Sequence, residues 1–180
     1  IDSSGNGNHS TSVAQATTTN ESKVGDYAGT FDGTGDYFED DDAENYLNGL
    51  TAITVSAWIK SSSINHDLGF MGTRTDGSAD TGIAIRYDSA GSLGAGTNLI
   101  KSVLTIDGSD ESYESSSNIQ TTAWQHVVLS WESGSAIKMY VNGVLDVPTY
   151  SSGVLTGSIS NAAFMRLGFH KQGDWNGQLD

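Results

Sequence analysis

The sequence predicts an all-β protein, two antiparallel sheets packed face to face. Three observations carry that expectation. Apolar residues recur with a period of two over short runs, turns rich in Gly, Ser, Asp and Asn separate the runs, and no segment sustains a helical period. The 180 residues include 22 glycines and a single proline, Pro148, a composition suited to many short strands joined by tight polar turns. Four Trp, seven Tyr and five Phe give bulk to a core that an apolar fraction of 36% would otherwise leave thin. The length fits one hydrophobic core, hence a single domain over residues 1–180.

The most regular strand signal runs from Ile53 to Lys60, with Ile53, Val55, Ala57 and Ile59 on one face and Thr54, Ser56, Trp58 and Lys60 on the other. Gln125 to Trp131 alternates in the same way, with Val127, Leu129 and Trp131 inward. Ile137, Met139 and Val141 follow, and Asn142-Gly143 then joins Val141 to Val144. Asn-Gly tolerates positive φ at both central turn positions, so a two-residue hairpin is expected there. Further strands are expected at Ala28–Phe31, Tyr37–Glu39, Leu68–Thr73, Gly82–Tyr87, Leu99–Ile106, Val154–Ile159 and Met165–His170. Residues 42–49 read as one helical turn stopped by Gly49. The expected interior is Val55, Ala57, Ile59, Val127, Leu129, Met139 and Val141.

The formal net charge is −14. Phosphate backbones and anionic membrane surfaces would repel such a chain, which argues against nucleic-acid and membrane partners. It favours divalent cations, neutral ligands or basic partners, and it also keeps a protein soluble. No cysteine is present, so disulfides, thiolate metal sites and cysteine nucleophiles are excluded. No apolar run reaches membrane-spanning length.

Six blocks stand out along the chain: Asp2-Ser3-Ser4-Gly5-Asn6-Gly7-Asn8-His9, Phe31-Asp32-Gly33-Thr34-Gly35-Asp36-Tyr37, Thr54 to Lys60, Trp124 to Val128, Met139 to Val144, and Leu167-Gly168 with Trp175 to Asp180. Together, and in this order, they resemble bacterial laminin-G-like jelly-roll modules of the concanavalin A-like lectin/glucanase superfamily. The resemblance implies a jelly-roll sandwich and an extracellular role in binding carbohydrate or protein, often with calcium. It also implies a strand before Asp2 and another after Asp180, so the chain is expected to be a segment of a larger protein lacking its first and last strands.

Calcium takes six to eight oxygen ligands. Asp2 to Gly7 offers oxygens at alternate positions before a glycine, half of an EF-hand loop. Val13 stands where that loop needs a bidentate Glu, which rejects the motif. The resemblance instead implies a calcium joining the two ends of the domain through Asp2, Asn6, Asp36 and Asp180, with the carbonyl of Gly33. The competing reading makes these residues ordinary turn formers.

Glu39-Asp40-Asp41-Asp42-Ala43-Glu44 matches the Glu-x-Asp-x-x-Glu spacing of glucanases of this broad fold, whose carboxylates act from one strand face. The intervening Asp40 and Asp42 would be costly in a core, so the run reads as a solvated loop and catalysis is disfavoured. His9, His66, His126 and His170 are scattered, with no metalloprotease motif and no nucleophile elbow. Sugar binding needs aromatic faces with polar groups around them. Trp175, in a Gly-rich loop, is the expected platform, with His66, Arg74, Arg86, Tyr87 and His170 as polar or ring candidates and Trp58 as a second aromatic.

The functional expectation is a calcium-stabilised, non-catalytic carbohydrate-binding module, secreted or on the cell surface of a bacterium, within a larger adhesin or polysaccharide-degrading enzyme. The alternatives are a structural or protein-interaction domain with no small ligand, and, third, a glycoside hydrolase.

Overall fold

The computed structural model describes residues 4–73, 82–94 and 96–180. In chain order the elements are β1 (Thr11–Val13), β2 (Thr17–Thr19), β3 (Ala28–Asp32), β4 (Tyr37–Asp40), α1 (Glu44–Leu47), β5 (Ala52–Ser61), β6 (Gly69–Gly72), β7 (Ile83–Asp88), β8 (Leu99–Ile106), β9 (Ser109–Glu114), β10 (Gln125–Glu132), β11 (Lys138–Val141), β12 (Val144–Leu145), β13 (Tyr150–Ser151), β14 (Met165–Leu167) and β15 (Asn176–Leu179). They form an eight-stranded sheet, β1-β4-β14-β6-β7-β8-β9-β13, and a seven-stranded sheet, β12-β11-β10-β5-β15-β3-β2. Each strand pairing is antiparallel, as the alternating runs predict.

The longest strands follow the sequence pattern closely. β5 pairs with β10 from Ala52↔Glu132 to Ile59↔Gln125, and the Asn142-Gly143 turn closes the β11–β12 hairpin with φ of +51° and +80°. Both residues are left-handed, as a type I′ turn requires. Ile59, Val127, Leu129 and Met139 are buried between the sheets. Val141 is half-buried because it lies beside the two-residue edge strand β12.

Val55 and Ala57 are also only half-buried. On the side away from β10, β15 pairs with β5 only over Ile59–Ser61, with Asp180 continuing to Trp58. Past Trp58 that flank of β5 has no strand beside it among the described residues. A cleft of about 220 Å³ opens there, lined by Val55, Ala57, Phe70, Met71, Leu167 and Leu179.

Two expectations need correcting. Val154–Ile159 is not a strand: Val154 is exposed and Ile159 makes one isolated bridge to Ile106. β9, in contrast, carries no apolar alternation yet pairs with β8 along its whole length. Its inward positions are Glu111 and Tyr113. Glu111 is fully buried and its carboxyl group accepts hydrogen bonds from Trp131 Nε1 (3.1 Å), Ile137 N (3.0 Å) and Leu155 N (3.2 Å). Three donors offset the cost of placing that group in the core.

Val127 sits opposite both Ala57 and Val141 at the centre of its sheet. Val127→Asp is expected to cost roughly 4 kcal/mol or more, because the buried carboxylate has no partner there. Urea denaturation checks this, and a midpoint near that of the parent chain would refute the register.

Candidate ligand-binding face

The outer face of the eight-stranded sheet follows from register, since residues directly opposite share a face. Ile83, Ile85 and Tyr87 point into the core, so Ala84, Arg86 and Asp88 point outward. Across the ladders their face continues through Lys101 and Val103 to Glu114 and Ser112, and in the other direction through Gly72 and Arg166 to Glu39. Every residue of β7 and β8 is nevertheless buried, so chain segments roof this half of the outer face.

The roof is tied down by ionised groups. Arg86 bonds Asp88 at 2.8 Å and lies 3.6 Å from Asp67, while Lys101 lies 3.6 Å from Glu114. The carboxylates also accept from the overlying backbone: Glu114 from Leu93 N (2.9 Å) and Gly94 N (2.8 Å), and Asp67 from Ser89 N (2.7 Å). Buried charge is tolerated only with such pairing. His170 packs over Gly69 and Gly72; a Cβ on Gly69 would lie 1.9 Å from His170 Cβ, so a side chain is excluded there.

The other half of the face is more open. Arg166 pairs with Glu39 through Nε, with side-chain exposures of 15% and 19%. Its guanidinium lies over the rings of Phe164 (4.3 Å), Tyr37 (4.4 Å) and Phe169 (4.8 Å). Tyr37 and Phe169 meet edge to face at 5.4 Å. All three rings are half-buried. Fixed rings beside a charged hydrogen-bonding pair can stack on C–H faces and exchange hydrogen bonds with hydroxyls. The signal was in the Tyr37-Phe38-Glu39 alternation: with Phe38 inward, Tyr37 and Glu39 must face out. Grouping Glu39 with the acidic run hid it.

Of the residues nominated for a ligand, Arg86 and His170 do come together on this face, Arg86 being opposite Gly69. Both are buried, 5% and 2% exposed. Trp175 and Tyr87 are fully buried in the core, their rings 5.2 Å apart, because the loop carrying Trp175 leads directly into β15. Neither is a surface platform. His66 is exposed away from the aromatic cluster, its carbonyl accepting from Gln120 Nε2 (3.4 Å). Arg74 lies outside the described residues. Trp58 is on the outer face of the other sheet, 4.9 Å from His126 and beneath Lys23 Nζ at 4.8 Å.

The carboxylates nominated for calcium are not brought together. Asp36 is 1% exposed and accepts from Gln15 N (2.8 Å) and Asp32 N (3.1 Å), one bond to each oxygen. Asp180 Oδ2 accepts from Lys23 N and Val24 N, both at 2.6 Å. Asp32 pairs with Asn176 at the start of β15, whereas Asp180 follows its end, about 13 Å further along by strand rise. Asp36, bonded to Asp32 N, and Asp180 thus stand at opposite ends of β15. Asn6 is exposed, Gly33 sits in a left-handed turn against Asn176, and Asp2 lies outside the described residues. Among the described residues, no group of three or more His, Asp or Glu side chains is placed to hold a metal ion.

The glucanase spacing is also broken up by the fold. Glu39 is on β4, Asp41 in the turn after it, and Glu44 at the start of α1. Asp41 and Asp42 are exposed, as expected of a solvated loop. Asp40 is buried, accepting from Tyr46 OH (2.8 Å) and Asp42 N (3.0 Å).

Asp36→Ala is expected to cost roughly 2 kcal/mol through the loss of two charge-assisted bonds, equally in calcium and in EDTA. A loss of melting temperature seen only in calcium would restore an ion at this position. Burial pushes the Tyr87 hydroxyl up to about 12, against a smaller opposing effect of its hydrogen bond with the Thr121 backbone. The unfolded chain releases that proton near pH 10 and the folded chain only near 12, so stability falls as pH rises through this window, by about 1.4 kcal/mol per unit. Urea midpoints across that range should fall less steeply for Tyr87→Phe; an unchanged slope would refute the burial.

A laminin-G family model, described as the concanavalin A-like lectin/glucanases superfamily, matches residues 32–180. Comparison with curated proteins found no match. Among solved structures, domain 4 of AbnA, a GH43 extracellular arabinanase from Geobacillus stearothermophilus solved with arabinotriose, is similar at TM-score 0.58 and 22% identity, covering 93% of this chain and 73% of that one. The botulinum neurotoxin serotype D ligand-binding domain, solved with N-acetylneuraminic acid, is similar at TM-score 0.62 and 15% identity, covering 96% and 41%. The binding domain of Paraclostridial Mosquitocidal Protein 1 is similar at TM-score 0.66 and 12% identity, covering 99% and 43%. At these identities the likeness is one of fold. The family match spans most of the sandwich, and this chain belongs to the concanavalin A-like lectin/glucanase superfamily.

Proposed function

We propose that this chain is a non-catalytic, extracellular carbohydrate-binding module whose ligand lies on the open half of the eight-stranded sheet. The carrying observation is the cluster of Tyr37, Phe164 and Phe169 around the Arg166–Glu39 pair. It combines ring faces with oriented polar groups at a surface that is neither sealed nor fully exposed. The similar structures solved with arabinotriose and with N-acetylneuraminic acid support a glycan ligand. The scattering of Glu39, Asp41 and Glu44 over strand, turn and helix supports a binding rather than a hydrolytic role.

One observation favours a protein partner instead. Val144, Leu145 and Val147 are 70%, 54% and 76% exposed at the β12 edge, and an apolar edge is a site for contact with another protein.

A glycan array followed by titration calorimetry separates the two readings. Tyr37→Ala and Phe169→Ala should each weaken glycan binding by about tenfold, a typical loss for a stacking ring, with unchanged far-UV circular dichroism. Binding that survives both substitutions would move the site elsewhere.

A further inference from the structure

We propose that the glycan is uncharged: the face selects neutral sugar rings and rejects sialylated, uronic or sulfated ones. The inference rests on the proposed function and specifies its ligand class. A site for an acidic sugar needs a cation free to meet the incoming anion. The described strands of this face present three cations, and each is already closed by a carboxylate of the same chain. Arg166 meets Glu39, Arg86 meets Asp88 and Asp67, and Lys101 meets Glu114.

The energetics point the same way. A ligand carboxylate reaching Arg166 would have to displace Glu39 or sit beside it, and like charges in a partly desolvated site repel by several kcal/mol. The net charge of −14 adds a long-range field that slows any anion's approach at low salt. Hydroxyl groups meet none of these obstacles. The Glu39 carboxylate accepts from them, and the C–H faces of a neutral ring pack on Tyr37, Phe164 and Phe169. The rings over Arg166 also hold its guanidinium in place, so it is not free to swing toward an anion.

The test is titration calorimetry of neutral oligosaccharides against matched derivatives carrying sialic acid, uronic acid or sulfate, at low and high salt. Neutral members should bind, with a Kd changing less than about twofold with salt, since no ligand charge is there to be screened. Acidic counterparts should bind at least about tenfold more weakly at low salt. Glu39→Gln should then raise affinity for acidic members by roughly tenfold, because it frees the Arg166 charge. A thermal melt of that variant confirms folding, and Glu39→Asp, which retains the charge, should leave the discrimination in place. Binding restricted to acidic glycans, or neutral and acidic binding of equal strength, would overturn the inference while leaving glycan binding intact. Absence of binding to either set would sink the glycan reading and this inference with it.

Discussion

Burying both faces of β7 and β8 is the constraint on which the rest of the structure depends. In an ordinary sandwich one face of each sheet meets water and hydrates whatever polar groups it carries. Here the outward positions of these strands include Arg86, Asp88 and Lys101, all buried. Each charge must therefore find its partner within the protein. The partners lie on the neighbouring strand, as Glu114 does, or in the same strand, as Asp88 does. The carboxylates' remaining acceptor positions are taken by backbone N–H groups of residues 89–94. Strand register and loop conformation are thus fixed by the same few side chains.

A consistent use of acidic residues emerges. Asp36, Asp180, Glu111 and Glu114 stand in different parts of the fold, yet each receives two or more hydrogen bonds from N–H groups. Charge-assisted bonds of this kind are stronger than neutral ones. In a chain without cysteine they do the cross-linking: Asp180 holds the segment at Lys23 and Val24, and Asp36 holds the turn between β1 and β2. These four carboxylates serve loop attachment.

The framework was legible where burial and alternation coincide. β5, β8 and β10 appear within a residue or two of the expected bounds, and the Asn142-Gly143 turn is where its dihedral preference puts it. β9 was hidden because one of its two inward residues is a carboxylate whose partners, Trp131, Ile137 and Leu155, come from elsewhere in the chain. Val154–Ile159 misled for the opposite reason: its apolar residues suggest a strand, but the segment meets β8 only at the bridge from Ile159 to Ile106. Trp175 read as exposed from its Gly-rich flanks, whereas its ring packs against Phe70 and Tyr87. The aromatic cluster at Arg166 joins residues some 130 positions apart, Tyr37 and Phe169 among them, and only the sheet order β4-β14 brings them together.

The longest strand has two characters along its length. Trp58 exchanges both peptide hydrogen bonds with Asp180 (2.7 and 2.9 Å), and peptide groups alternate sides, so Ser56 and Thr54 turn theirs to the same flank. No strand pairing among the described residues reaches them there. Among the described residues β5 pairs with β10 over Ala52–Ile59 and with β15 and Asp180 over Trp58–Ser61, so the two halves of its sheet are joined through an overlap of only two residues, Trp58 and Ile59.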